Sequence, residues 1–128
     1  MDIKSIHHVA IICSDYTWSK RFYTEILGFP VLQETYRAER DSYKLDLKVG
    51  DRDCIELFSF PNPPERPSRP EARGMRHLSF AVDDVEAAVE YLIEQGVDVE
   101  PVRTDKTTNR KFAFFFDPDE LPLEIYET

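Results

Sequence analysis

The chain repeats one pattern at a distance of about 68 residues, and this repeat limits the possible folds more than any other feature. Three pairs of identical residues recur at 68 or 69 residues: His8 and His77, Gly28 and Gly96, and Glu56 and Glu124. An apolar run follows each His, and an apolar strand-length segment surrounds each Glu. A period this long exceeds that of solenoid repeats. It therefore predicts two similar modules related by a pseudo-twofold axis.

Each copy predicts one helix that begins at an Asp and ends at a Gly. The helical stripes are Trp18, Phe22 and Ile26 in the first copy, and Val85, Ala88, Val89 and Leu92 in the second. The predicted N-caps are Asp15 in the first copy and Asp84, or its neighbour Asp83, in the second. Gly28 and Gly96 follow the stripes, where a residue that accepts positive φ commonly ends a helix.

The strands complete a βαβββ order in each copy, which predicts an α+β fold made of two βαβββ modules. The modules cover residues 3–60 and 75–126 of a single domain, 1–128. Their later strands are predicted near residues 31–36, 43–49 and 53–60, and near 99–103, 111–116 and 122–126. Residues 61–70 contain five prolines, which exclude a helix or a central strand and predict a linker.

The composition excludes several classes of partner. A net charge of −9 disfavours nucleic acid and anionic membrane surfaces, which attract basic proteins. No apolar run is long enough to span a membrane, and the N-terminus does not resemble a signal peptide. Two cysteines without a signal peptide are typical of reduced thiols. We therefore expect a cytoplasmic protein that acts on a small molecule.

Four repeated residues predict a metal site: His8, Glu56, His77 and Glu124. A carboxylate within an apolar strand costs several kcal/mol unless it is compensated. Two carboxylates and two imidazoles at equivalent positions indicate one divalent cation, and suit Zn²⁺, Ni²⁺, Co²⁺, Mn²⁺ or Fe²⁺. Any one of the four, taken alone, is as readily explained as a solvated or capped side chain. His7 is the rival of His8, but the spacing to the following Asp favours His8.

The motifs together resemble the vicinal oxygen chelate superfamily, which includes glyoxalase I, extradiol dioxygenases and the fosfomycin and bleomycin resistance proteins. The segments that carry this resemblance are His8-Val9-Ala10-Ile11, Arg21-Phe22-Tyr23, Ile26-Leu27-Gly28-Phe29, Ile55-Glu56-Leu57, His77-Leu78-Ser79-Phe80-Ala81-Val82-Asp83, Phe115-Phe116-Asp117-Pro118-Asp119 and Leu123-Glu124-Ile125. The resemblance is strongest to short bacterial proteins similar to lactoylglutathione lyase. It implies that the paired modules form a cup around one metal ion.

The resemblance also implies a ligand set and a reaction. Glyoxalase I takes one His and one Glu from each module, which map onto the four residues above. Its metal is most often Ni²⁺, Co²⁺ or Zn²⁺, and a metal-bound Glu removes a carbon-bound proton while the ion stabilises an enediolate. By this analogy Glu124 is the base and Glu56 assists it. Dioxygenases of the superfamily need only His8, His77 and Glu124, so Glu56 favours the lyase or isomerase type.

Two departures weaken the expectation that glutathione is used. Bacterial glyoxalase I has an Arg four residues after its first His and an Asn four residues after its first Glu. Ile12 and Phe60 occupy these positions here. We therefore expect another small substrate with adjacent oxygens. Its anionic end would be held by Arg37, Arg40 and Lys44, with Ser42 beside them, although these residues also fit a solvated hairpin.

Three functions remain open from the sequence. The first is a metal-dependent lyase or isomerase, the second an Fe(II) dioxygenase, and the third a non-enzymatic binding protein like the bleomycin sequestrants. The four predicted ligands argue against the third. A homodimer is expected, because each module leaves sheet edges to be covered. The sequence does not decide whether one chain or two chains supply the ligands of one ion.

Overall fold

Four strands of the N-terminal unit form one mixed sheet. The structure is a computed structural model that describes all 128 residues, and the chain divides into two compact units, Met1–Pro64 and Glu65–Thr128. The strands of the first unit are β1 (Val9–Cys13), β2 (Val31–Arg37), β3 (Ser42–Val49) and β4 (Asp53–Ser59). They lie in the order β1-β4-β3-β2, with β1 parallel to β4 and the other neighbours antiparallel.

The helix between β1 and β2 begins as predicted but changes its pitch. α1 (Tyr16–Arg21) follows the N-cap Asp15, whose carboxylate accepts from the Trp18 backbone N–H at 2.9 Å. A π-helical turn, Phe22–Ile26, continues α1, and Gly28 then has a φ of 73°. The predicted stripe was wrong at its first member. Trp18 is 43% exposed, whereas the buried face consists of Ser19, Phe22, Tyr23 and Ile26.

The C-terminal unit repeats this arrangement. Its elements are β5 (Leu78–Val82), α2 (Val85–Glu94), β6 (Arg103–Thr104), β7 (Lys111–Phe116) and β8 (Pro122–Glu127). The strand order β5-β8-β7-β6 matches that of the first unit, again with a parallel first pair. Asp84 caps α2 by accepting from the Ala87 N–H at 3.0 Å, and Gly96 has a φ of 77°. The prediction of two βαβββ modules is confirmed.

Two of the predicted strands differ from the structure. The first module was expected to begin near Ile3, but its first strand, β1, begins at Val9, so His8 directly precedes it. A strand was also expected over residues 99–103. Only the short β6 pairs there, with an isolated bridge between Val99 and Phe115 before it. Both predictions relied on apolar residues, which do not by themselves supply a neighbouring strand to pair with.

Alternation along the strands gives each sheet one buried and one open face. The buried residues are Leu45, Leu47, Ile55 and Leu57 in the first unit and Ala113, Phe115, Leu123 and Ile125 in the second. Burying each large apolar side chain contributes about 1.5–3 kcal/mol. The alternate residues form what we call the open face: Lys44, Asp46, Glu56 and Phe58 in the first unit, and Phe112, Phe114, Glu124 and Tyr126 in the second.

None of the helices has the length and apolar character needed to cross a lipid bilayer. Cys13 is buried, Cys54 is partly buried, and both are free thiols. The cytoplasmic location stays a prediction.

Candidate functional site

His8 and Glu56 lie side by side on the open face of the first unit. The parallel register places Ala10 opposite Glu56, so His8, two residues before Ala10, is expected on the same face of the sheet. The His8 Nε2 atom lies 3.4 Å from the Glu56 Oε2 atom. The Glu56 side chain is 16% exposed and that of His8 is 39% exposed. Glu56 is therefore shielded from water, while the imidazole remains accessible.

Lys44 holds the other oxygen of Glu56. Its Nζ atom lies 3.0 Å from Glu56 Oε1 and 2.6 Å from Asp46 Oδ1. β3 and β4 are antiparallel, with Asp46 directly opposite Glu56. The hydrogen bond to Asp46, followed by the one to Glu56, raises the pKa of Lys44 against the opposing effect of burial. Lys44 is thus a firmly charged ammonium that compensates two carboxylates.

His77 and Glu124 repeat the first pair in the second unit. Their Nε2 and Oε2 atoms are also 3.4 Å apart, and the Glu124 side chain is 12% exposed. The parallel register places Ser79 opposite Glu124, as Ala10 lies opposite Glu56. No lysine or arginine compensates Glu124. Its only ion-pair partner is the imidazole, so this buried carboxylate lacks the cation that Lys44 provides for Glu56.

Aromatic rings surround Glu124 where charged groups surround Glu56. Phe114 lies opposite Glu124 in the β7–β8 ladder, and its ring contacts His77 edge-on at 5.0 Å between centroids. Phe112 contacts Phe114 and stacks on Tyr126 at 6.2 Å. By the same register, Phe114 occupies the place of Asp46 and Phe112 the place of Lys44.

The four predicted metal ligands are therefore found as two pairs, one in each unit. Neither unit by itself contains three or more His, Cys, Asp or Glu side chains close enough together to hold a metal ion. Each unit offers one imidazole nitrogen and one carboxylate. The prediction that all four residues bind one ion stays a prediction.

The predicted substrate residues lie at one end of the same open face. The Arg37 guanidinium lies over the rings of Phe58 (4.9 Å) and Phe60 (5.7 Å), and Arg40 lies over Phe60 (5.0 Å). Arg37 also donates to the Ser42 hydroxyl at 3.1 Å. Lys44 is held between Asp46 and Glu56. Any substrate contact by these residues stays a prediction.

Three further residues lie beside the site. Asp46 was missed, although its alternation with Lys44 along β3 would have placed it on this face. His7 was expected to be a surface residue, and it is exposed, yet its Nδ1 atom lies 2.9 Å from that of His8. Burial, followed by the charges of Asp46 and Glu56, raises the pKa of Cys54.

A comparison of the sequence with known families gives one match along nearly the whole chain. The sequence model of the Glyoxalase/Bleomycin resistance protein/Dioxygenase superfamily matches residues 5–125. The chain belongs to this superfamily. Together with the two βαβββ units, the match establishes the glyoxalase, or vicinal oxygen chelate, fold that the resemblance implied.

This superfamily member is highly similar to several short bacterial proteins. It is 62% identical to the uncharacterized protein YwkD of Bacillus subtilis, over 99% of both chains. It is 56% identical to the uncharacterized protein YaeR of Escherichia coli, over 99% of this chain and 98% of that one. The structure of a glyoxalase family protein from Enterococcus faecalis has a TM-score of 0.91 and 51% identity, covering 99% and 100% of the two chains.

More distant relatives carry different activities in their names. A 2-epi-5-epi-valiolone epimerase of Actinomyces is 29% identical over 94% of this chain and 78% of its own length. The lactoylglutathione lyase of Schizosaccharomyces pombe is 25% identical over 98% of this chain and 48% of its own length. The antibiotic binding protein TnmS3 of Streptomyces has a TM-score of 0.75 at 28% identity, with coverage of 99% and 97%. Superfamily membership alone therefore does not fix one reaction.

Proposed function

We propose that this protein is a metal-dependent lyase or isomerase of the glyoxalase I type, acting on a small substrate with two adjacent oxygens. One observation carries the proposal. The same His and Glu pair recurs at equivalent positions of the two units, with the same 3.4 Å between Nε2 and Oε2. In the proposal, His8, Glu56, His77 and Glu124 together bind one divalent ion.

The donor chemistry and the burial of Glu124 fit such an ion. A carboxylate that is 12% exposed and has only an imidazole beside it is costly unless a cation compensates it. Two imidazole nitrogens with two carboxylates suit Ni²⁺, Co²⁺ or Zn²⁺, and are also compatible with Fe²⁺ or Mn²⁺. An ion with these four ligands would keep positions open for the two substrate oxygens if it were six-coordinate.

The two carboxylates have different roles in the proposal. When bound, the ion supplies positive charge that stabilises negative charge on the two adjacent substrate oxygens. Glu124 accepts the proton from the neighbouring carbon, because no lysine or arginine holds its carboxylate. Glu56 assists as a ligand, because Lys44 occupies its Oε1 atom while its Oε2 atom faces His8. The two imidazoles act as neutral ligands.

Relatives named as an epimerase and as a lactoylglutathione lyase support chemistry of this lyase or isomerase class. Glutathione is not the proposed partner. Ile12 and Phe60 stand where the resemblance implies an Arg and an Asn that bind glutathione. An apolar side chain cannot replace either group as a hydrogen-bond donor. We expect weak turnover of the methylglyoxal–glutathione adduct, and efficient turnover would contradict this part of the proposal.

The function is tested with protein loaded with Ni²⁺, Co²⁺ or Zn²⁺ and a panel of small α-hydroxy aldehydes and ketones in deuterated water. We expect deuterium at the carbon next to the adjacent oxygens of at least one compound, without oxygen uptake. The Glu124→Gln variant serves as the control for incorporation that does not depend on the enzyme. The absence of incorporation across the panel, with metal bound, would contradict the lyase or isomerase proposal.

A second candidate, an Fe(II) dioxygenase, is favoured by the contact between Lys44 and Glu56. If Glu56 stays with Lys44, the remaining ligands are His8, His77 and Glu124, which match the two-histidine, one-carboxylate set of non-haem iron oxygenases. This candidate predicts tight Fe²⁺ binding, oxygen consumption with a substrate and full activity of the Glu56→Gln variant. The first candidate instead predicts turnover without oxygen consumption and a loss of activity in the Glu56→Gln variant.

We also propose that the protein is a homodimer. β2 is an edge strand of its sheet, and it exposes Val31, Leu32 and Tyr36. Exposed edge strands with apolar side chains are commonly covered by another chain. Light scattering during gel filtration should give about twice the 15.0 kDa mass of one chain. A single-chain mass at micromolar concentration would contradict the proposal.

A further inference from the structure

We propose that Arg37 and Arg40 form a binding site for an oxyanion, a carboxylate or a phosphate group carried by the substrate. The inference rests on the proposed function, because it names a chemical feature of that substrate. Both guanidinium groups lie over the Phe60 ring, at 5.7 Å for Arg37 and 5.0 Å for Arg40. Both positive charges therefore lie beside one aromatic side chain, where together they can attract an anion.

Neither arginine is neutralised by the protein. No carboxylate forms an ion pair with Arg37 or Arg40, although the chain carries 25 acidic residues against 16 Lys and Arg. Arg37 has one hydrogen bond, from its Nη2 atom to the Ser42 hydroxyl at 3.1 Å. Its Nε atom is buried and has no acceptor. A buried donor without a partner is costly, and a bound oxyanion would supply the missing acceptor.

The second unit shows that arginine stacking does not require an unpaired charge. Arg103 lies over Phe112 at 5.1 Å and over Phe114 at 5.4 Å, as Arg37 lies over Phe58 and Phe60. Arg103, however, pairs with Glu100 at 3.1 Å. Among the arginines that stack on strand phenylalanines, Arg103 therefore has an acidic partner, whereas Arg37 and Arg40 have none.

The arginines lie near the proposed metal ligands of their own unit. In the β2–β3 ladder, Arg37 pairs with Ser42, two residues along from the pair of Thr35 with Lys44. Arg37 thus shares the open face of Lys44 and Glu56. The guanidinium covers Phe58, which is two residues, or roughly 7 Å, along β4 from Glu56. We infer a small ligand that carries its oxyanion a few bonds from its adjacent oxygens.

A guanidinium binds carboxylate and phosphate through the same paired N–H donors. The test therefore uses two probes, inorganic phosphate and acetate, each titrated into the isotope-labelled full chain while the backbone amide signals of Arg37, Arg40 and Ser42 are followed. We expect saturable shifts of these signals. If only phosphate gives saturable shifts, the substrate group is assigned as a phosphate. If acetate gives them as well, a carboxylate is sufficient for binding at this site.

The matched variants are Arg40→Met and Arg52→Met. Arg40 is exposed, so its replacement should leave the fold intact, and we expect anion affinity to fall about tenfold, as for loss of a charge-assisted hydrogen bond. Arg52 is exposed in the β3–β4 turn, so Arg52→Met removes the same charge at a position away from the site. This variant should bind the anions as the wild type does. Arg37→Lys, which keeps the charge but loses the Nε donor, should also weaken binding.

The proposed site is wrong if neither anion shifts these amide signals. It is also wrong if Arg40→Met and Arg37→Lys bind the anions as the wild type does, or if Arg52→Met weakens binding as much as Arg40→Met does. Metal content measured on the same samples separates the two proposals. Wild-type metal content with no anion binding removes only the oxyanion site. Arginine-dependent anion binding in a chain that never binds metal removes only the proposed metal-dependent function.

Discussion

The open faces of the two units have the same strand order and the same pair of His and Glu. The residues around the two pairs nevertheless differ in character. Glu56 is held by Lys44 at 3.0 Å and faces Asp46 across the ladder. Glu124 has Phe114 in place of Asp46 and Phe112 in place of Lys44. The repeat therefore preserves where these His and Glu side chains lie, whereas the neighbouring residues give each carboxylate a different environment.

This difference assigns unequal tasks to two otherwise equivalent carboxylates. When a carboxylate is paired with an ammonium, its negative charge is already compensated, and one of its oxygens already accepts a hydrogen bond. A carboxylate among aromatic rings has fewer competing partners, and its interaction with a cation or a proton is less screened. In the proposed function, Glu56 therefore has the role of a steady ligand and Glu124 that of the reactive base. Substitutions that alter one unit at a time test this assignment.

The largest expected effect is on turnover. Glu124→Gln should lower the turnover of the best substrate from the deuterium assay by about 10²–10⁴-fold at saturating metal, since it removes the base. Glu56→Gln should lose less turnover under the same conditions, because metal in excess offsets the loss of a ligand. Equal losses in the two variants, or a larger loss in Glu56→Gln, would reverse the assigned roles.

The next effect concerns the ammonium that only the first unit has. Lys44→Met should tighten divalent metal binding about three- to tenfold, because it removes a positive charge that repels the ion and competes for Glu56. Lys48→Met is the matched control, as Lys48 lies on the same strand and face but is exposed and makes no ion pair. Calorimetric titration measures both. An unchanged or weaker affinity in Lys44→Met alone would show that Lys44 supports the site instead of competing with the metal.

A smaller effect is expected from the aromatic support of the second unit. Phe114→Leu removes the edge contact with His77 and should weaken metal binding by a factor of about 2–10, as such contacts contribute about 0.5–1.5 kcal/mol. Phe116→Leu provides the control on the same strand and face, without a ring contact to His77. If both variants bind metal equally well, His77 does not depend on Phe114 for its position.

The smallest effect compares the turns that precede β4 and β8. Gly50 has a φ of 54° in the first turn, and Glu120 has a φ of 61° in the second. A left-handed conformation strains a side chain other than glycine. Glu120→Gly should raise the free energy of unfolding by about 0.5–1 kcal/mol, and Gly50→Ala should lower it by about 1 kcal/mol. Urea unfolding measures both, and a loss of stability in Glu120→Gly would contradict this interpretation of the turn.

The features predicted correctly from the sequence depend on local chemistry or on the repeat. The caps Asp15 and Asp84 each accept a hydrogen bond from the backbone three residues later. Such contacts need no knowledge of distant strands. The repeat also identified His8 with Glu56 and His77 with Glu124 as equivalent positions of the two copies, and each pair lies close together in its unit.

The features that were missed depend on long-range pairing or on a polar residue in a buried helical face. The contact of Lys44 with Glu56 requires the β3–β4 register, which a single strand does not specify. Trp18 was assigned to the buried face because it is apolar and lies four residues before Phe22. The observed buried face begins instead at Ser19, a small polar residue, and continues at Phe22, Tyr23 and Ile26 with ordinary helical spacing.

The central claim is that the two equivalent pairs are the ligands of one divalent ion. The most direct test is the metal content of the protein purified under metal-replete conditions, beside its Glu56→Gln and His77→Ala variants. We predict one equivalent of metal per chain in the wild type. We also predict a large loss of metal in both variants, although Glu56 lies in the first unit and His77 in the second. A wild type without stoichiometric metal, or two variants that both keep it in full, would contradict the claim.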